Sequence, residues 1–230
     1  MKKISLIISF LAFLSIGSNA QIRPIKFGVK LGPSVDWASP GSTAASHDRI
    51  GLGLGAGLVL EHELTRNISV ASGLNFNVLQ MRYQFTDRRL ADDYLEMGLI
   101  SVNRKVRGTY FEIPLKGKVK MDVADSWKAF VEAGVGFGLN YSDKGKDEYE
   151  FHWVQYSDPE YVDYSYQYRL LQASLCFGLG TEFEVNRNLS LFAQLTFNHS
   201  LSNTFTHQMY KDTGSELHTN YVGIEVGFLR

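Results

Sequence analysis

The sequence predicts an all-β protein: an eight-stranded, antiparallel, up-and-down transmembrane β-barrel. Three observations predict it. Apolar residues recur at every second position in eight separate stretches, which is the period of a strand rather than a helix. The faces between them are rich in glycine and charge, and side chains that narrow suit the lumen of a small barrel. That leaves the greasy face outside, against lipid, the reverse of a soluble sandwich. The polar segments joining the stretches run long, short, long, short, long, short, long, as an up-and-down barrel with both ends of the chain on one side requires.

Taken in order, Met1 to Ala20 reads as an export signal. Lys2 and Lys3 form its basic start, Ile4 to Ile16 its apolar core, and Ser18-Asn19-Ala20 its cleavage site, so the mature chain is expected from Gln21 and the barrel domain over 21–230. The apolar run is shorter than the ~20 residues of a spanning helix. Strand 1 is expected from about Phe27 to Trp37 and strand 2 from Ile50 to Glu63, where four glycines alternate with leucine and alanine. A tight turn at Thr65-Arg66-Asn67 leads to strand 3, with Ile68, Val70, Leu74, Phe76 and Val78 outward, and Gln84 to Gly108 reads as a long polar loop. Strands 4 and 5, within Thr109 to Tyr141, form a hairpin; centring its turn on Ala124 sets Lys116 opposite Glu132 and Lys118 opposite Phe130. Ser142 to about Tyr166 is a second long segment. Strands 6 and 7 run from Leu171 to Glu184 and from Leu189 to Phe197, and strand 8 from Tyr221 to Phe228. Gly57–Asn77 echoes Gly178–Asn198, carrying Glu61 onto Glu182 and Glu63 onto Glu184.

Composition excludes several classes. A formal net charge of −1 argues against a nucleic-acid partner, which would need a basic face. The single cysteine, Cys176, excludes an intramolecular disulfide framework and a thiolate zinc cluster; it reads as a small inward residue. No cofactor motif is present. A soluble ligand-binding barrel is the competing fold, and its exterior would be charged.

The opening KFGVKLGPSVDW, the mid-chain YFEIPLKGKVKM, the glycine-rich AFVEAGVGFGLNYS and the terminal YVGIEVGFLR resemble the PorT-type outer-membrane β-barrel family, most specifically at Tyr110–Leu115. The resemblance covers essentially the whole mature chain. It implies residence in the bacterial outer membrane and, for some members, a part in type IX protein secretion; it implies no catalytic residues.

Inward positions hold Lys26, Lys30, Lys116, Lys118 and Lys120 against Glu61, Glu63, Glu112, Glu132, Glu182, Glu184 and Glu225. They predict a salt-bridged plug, with Glu225 reaching Lys30 where strand 8 closes on strand 1; an open, small-solute pore is the alternative. Trp127, Tyr141 and Phe228 are expected in the aromatic girdles. Arg88, Arg89, Arg104, Lys105 and Arg107 stand at the height of lipopolysaccharide phosphates, and solvated loop charges are the plainer reading. Tyr149, Phe151, Trp153, Tyr156, Tyr161 and Tyr164 mark either a partner-binding loop or strands that continue above the membrane. His47, His152, His207 and His218 lie near the outer loops without a nucleophile or carboxylate arrangement, so no enzyme is expected. The expected partners are outer-membrane lipids, lipopolysaccharide and a protein at the outer loops, for a monomer.

Overall fold

The computed structural model describes residues 25–41, 45–47, 49–85, 99–151, 155–157, 160–186, 188–207 and 216–230. The export signal at 1–20, Arg88, Arg89, His152, Trp153 and Arg187 lie outside the described residues. Eight long antiparallel strands close into one barrel: β1 (Ile25–Pro40), β3 (Gly51–Glu63), β4 (Ile68–Phe85), β5 (Leu99–Ala124), β6 (Trp127–Phe151), β9 (Leu171–Asn186), β10 (Leu189–Ser200) and β11 (Leu217–Leu229). Closure is complete, because β1 pairs with both β3 and β11 and β4 pairs with β5. Three short strands, β2 (Ala45–His47), β7 (Gln155–Ser157) and β8 (Val162–Asp163), add to the long-loop end. No helix among the described residues is long and apolar enough to cross a membrane; the strands do so.

The outer wall is apolar. Phe27, Leu31, Leu52, Leu115, Phe137, Leu179 and Ile224 all lie outward and exposed, a contiguous surface that only lipid can cover. Glycine supplies room inside. A Cβ at Gly136 would sit 2.6 Å from Glu112 Oε2, and one at Gly178 would sit 2.6 Å from Glu132 Cγ, so the glycines leave space for long polar side chains of facing strands.

Two expectations need correction. The β5–β6 hairpin turns tightly at Asp125–Ser126, with an irregularity between Asp122 and Ala124, so the register moves by two residues. Lys116 stands opposite Gly134, Lys118 opposite Glu132 and Lys120 opposite Phe130. A shift of two preserves the faces, which is why alternation alone did not detect it. Gln84 to Gly108, expected as a long polar loop, is strand over the residues described there, 84–85 and 99–108. Beyond Ser142 the structure shows the second of the two readings, continued strand: β4, β5 and β6 rise together past the ends of the other strands, pairing through Phe85↔Val102 and Val102↔Tyr149.

Polarity reverses where this wall leaves the barrel. Below Thr109, β5 turns Lys116, Lys118 and Lys120 inward and Ile113, Leu115 and Val119 outward; above it, Val102 and Val106 are buried inside while Lys105 and Arg107 face out. On β6 a bulge at Tyr141, between the pairs Tyr110↔Asn140 and Thr109↔Ser142, flips the phase so that Asp143, Gly145 and Asp147 point inward.

Candidate functional site

The lumen is layered. Nearest the short turns, Lys118 and Lys120 of β5 stand between Glu61 of β3 and Glu182 of β9. Lys118 Nζ lies 2.9 Å from Glu61 and 3.4 Å from Glu182. Lys120 Nζ lies 2.9 Å from Glu182 and 2.5 Å from Glu61 Oε1, both ion pairs off the hydrogen-bond direction. Lys26 pairs with Glu63 at 2.9 Å, and Lys128 with Glu184. The Lys118 ammonium also sits 3.9 Å from the centre of the Phe130 ring. In the next layer Lys30 donates to both oxygens of Glu225 at 2.9 Å, Gln194 donates to Glu225, and Lys116 donates to Glu132.

Glu112 departs from the expected lysine–glutamate network. Its carboxylate accepts from Asn75 (3.1 Å), Ser174 (3.0 Å) and Asn198 (2.9 Å), all neutral donors. Among the described residues three neutral donors stand around this carboxyl group where the other inward glutamates meet lysine. The cavities within this packing measure about 20 Å³ beside Lys30 and Lys116 and about 30 Å³ beside Glu112, each room for a water or two. A plug is what these side chains build.

Above the plug is a second, apolar core. Met81, Tyr83 and Phe85 of β4 and Val102 and Val106 of β5 pack with Tyr164, Tyr168, Phe205 and Leu217. The segment around a 3-10 turn at Ser165–Gln167 packs Tyr164 and Tyr168 into this core and is laced to the stretch 204–206 by Arg169 N to Thr204 O (2.8 Å) and Thr206 N to Gln167 O (2.9 Å). Arg104 enters this core paired: it donates to both oxygens of Asp147 at 2.6 and 2.7 Å and to Gln167, and lies 3.9 Å over the Tyr164 ring. It is therefore withdrawn from the phosphate-facing role the sequence suggested. Tyr164 donates to Asp147 at 3.0 Å and is buried too, so it is no surface anchor. Burial pushes the Tyr83 phenol up to about 12 and the Asp143 carboxyl, above Tyr141, up to about 7, against the lowering effect of hydrogen bonds from Asn140 and Tyr110.

The other sequence-selected residues divide. Trp127 and Phe228 are exposed on the outer wall at the short-turn end, Trp127 against Phe183 (5.1 Å between ring centres), and Tyr141 is exposed beside Phe111 (6.2 Å) at the other. Tyr149 backs the upper core and stacks with Phe151 and Tyr156; Tyr156 and Tyr161 are exposed. His218 donates to Ser200 O at 3.0 Å and stacks on His199, His207 is exposed, and His47 lies on β2 opposite Tyr83. Cys176 is buried beside Asn198. Among the described residues no group of three or more histidine, cysteine or carboxylate side chains could hold a metal. Sequence reading missed Asn75, Ser174, Asn198, Gln194 and the Arg104–Asp147 pair: Asn75, Gln194 and Asp147 face their partners across neighbouring strands whose register alternation leaves open, and Ser174 and Asn198 reach Glu112 from strands not adjacent to its own.

A closed barrel with a lipid-facing exterior and a filled polar lumen defines a membrane-spanning β-barrel protein. The chain belongs to the family described as outer membrane protein beta-barrel domain, whose model matches residues 18–206. It is a protein of the outer membrane. It is similar to Neisserial surface protein A (11% identity, 89% of this chain and 98% of that one, TM-score 0.43). It is also similar to OprG of Pseudomonas aeruginosa (8%, 89% and 94%, 0.44) and to a major outer membrane protein from Thermus thermophilus (13%, 89% and 100%, 0.43). No curated protein matches the chain.

Proposed function

We propose that this barrel is a closed anchor whose work is interaction, carried out by the β4–β5–β6 wall and the segment packed against it. The observation that carries this is the upper core: Tyr83, Val102, Arg104, Tyr168 and Phe205 give the projecting wall an interior of its own. Short turns of such barrels face the periplasm, so the wall stands on the cell exterior. There it presents Tyr156, Tyr161 and Tyr166 to solvent, aromatic side chains suited to a protein partner. No catalytic step belongs to this reading. Membership of the narrower PorT-type group, and with it a place in type IX secretion, rests on the sequence resemblance, most specific at Tyr110–Leu115.

The test is photo-crosslinking in whole cells. A photoreactive residue at Tyr161 or Tyr166 is expected to give discrete protein adducts, and one at lipid-facing Leu115 none. Absence of adducts at both tyrosines overturns the interaction reading. The small-solute pore makes a different demand, stepwise conductance of the purified protein in a planar bilayer, and the filled lumen predicts none.

A further inference from the structure

The outward face of the projecting wall carries its own pattern. In register, Gln80, Arg107 and Lys144 form one cross-strand row, and Arg82, Lys105 and Lys146 form the row above it. The outward phase is set by neighbours: Met81, Tyr83, Val102, Arg104 and Val106 are in the upper core, and Asp143, Gly145 and Asp147 point inward beyond the Tyr141 bulge. Strands lie about 4.8 Å apart and alternate residues about 6.7 Å apart, so five cations share a patch only two rows deep and three strands wide.

That arrangement is unfavourable by itself. Arg107 faces Lys144, Lys105 faces Lys146 and Arg82 faces Lys105, and like charges directly opposite across strands destabilise a sheet. Among the described residues, carboxylates beside these two rows are Asp163, opposite Lys144, and Glu148, in the row above and opposite Asn103. Asp163 accepts from Ser165 and also lies in the field of Lys144, and Lys146 lies against the Tyr161 ring. Arg82 Nε is enclosed and has no acceptor among the described residues. An enclosed, unsatisfied guanidinium N–H is costly and calls for an acceptor oxygen.

Height identifies the acceptor. Arg107 lies four residues beyond outward Phe111, which rings Tyr141 at the top of the apolar wall. Four steps of a strand tilted ~40° rise roughly 10 Å. That places the cations beside the headgroups of the outer leaflet, with apolar wall directly below for acyl chains. We propose that Arg82, Lys105, Arg107, Lys144 and Lys146 form a docking site for the phosphorylated headgroup of an outer-leaflet lipid of the lipopolysaccharide type. The inference rests on the wall standing outside the cell, as the interaction reading requires. Guanidinium forks supply bidentate hydrogen bonds to phosphate, and the lysines supply mobile charge.

The experiment uses the full mature chain folded into phosphatidylcholine vesicles with and without diphosphoryl lipid A, its binding read by fluorescence of labelled lipid A. The triple variant Lys105→Gln, Arg107→Gln, Lys144→Gln is expected to bind on the order of a hundredfold more weakly. Its folding is checked by the mobility of the unheated protein on gels. Should the triple variant not fold, Arg107→Gln alone must weaken binding about fivefold. Arg66→Gln, at the short-turn end, is expected to bind as the parent does. Dephosphorylated lipid A is expected to lose the interaction, and inorganic phosphate is expected not to displace labelled lipid A. Equal binding by variant and parent, equal binding of dephosphorylated lipid, or displacement by inorganic phosphate each overturns the proposal. A separate whole-cell arm, labelling a cysteine placed at Thr109 with a membrane-impermeant reagent, tests the outside location, so failure of the patch and failure of the orientation are distinguishable.

Discussion

Asp143 shows how much one side chain can report on the upper core. It is fully buried just beyond the lipid-facing span, with Asn140 and Tyr110 as donors and the like charge of Asp163 adding to the effect of burial. Burial holds its proton to about pH 7, whereas an unfolded aspartate releases it near pH 4. A raised folded pKa means stability that is complete below about pH 4 and is lost as pH climbs to about 7, at up to about 1.4 kcal/mol per unit. Asp143→Asn should flatten that decline and raise the heat-shift midpoint above pH 7. An unchanged pH slope in the variant would show that Asp143 is not its source. In the lumen, Lys116 and Glu132 touch although they are not directly opposite. A double-alanine cycle should return a coupling of roughly 1–3 kcal/mol in the midpoint of urea unfolding; additive single effects would refute the pairing. Glu112 explains why the site was only partly legible. Its inward phase is plain from alternation, but Asn75, Ser174 and Asn198 reach it from β4, β9 and β10, and no local spacing announces three neutral donors converging on one carboxylate.

At the scale of elements, alternation reads cleanly wherever the outer face is uniformly apolar, and the eight membrane-level strands were legible for that reason. It failed at the projecting wall. There β4 turns Met81, Tyr83 and Phe85 inward and Gln80, Arg82 and Gln84 outward, still with period two, but the charges resemble those of a loop. The Tyr141 bulge then breaks the phase on β6, so a single pattern cannot be carried through. The echo between Gly57–Asn77 and Gly178–Asn198 gains meaning in three dimensions: Glu61 and Glu182, its matched glutamates, meet on Lys118 and Lys120. The wall's independence from the barrel can be tested through its core. Phe205 is fully buried between Tyr83 and Tyr168, and Phe205→Ala should cost about 3–5 kcal/mol of local stability. Limited proteolysis should then cut the wall sooner while the barrel keeps its folded gel mobility. Parental resistance to protease would mean the upper core does not hold the wall.

The molecule as a whole is two interiors of opposite character stacked on one sheet. The lower is ionic inside and apolar outside, and the upper is apolar inside and basic outside, so the sheet records the position of lipid along its length. On β6 the outward phase runs fourteen steps from Trp127 to Tyr141. At ~3.3 Å each and a ~40° tilt they rise roughly 35 Å, enough to bracket an apolar band of about 25 Å. Val135 faces outward near the middle of that band, paired with Leu115 and Leu175. The most direct measurement is therefore the unfolding free energy of Val135→Arg in lipid vesicles against that of Val135→Leu. The leucine variant should match the parent, and arginine should lower stability by roughly 2–4 kcal/mol. Parental stability with arginine at that position would mean that the wall does not face lipid, and the inverted barrel described above would be wrong.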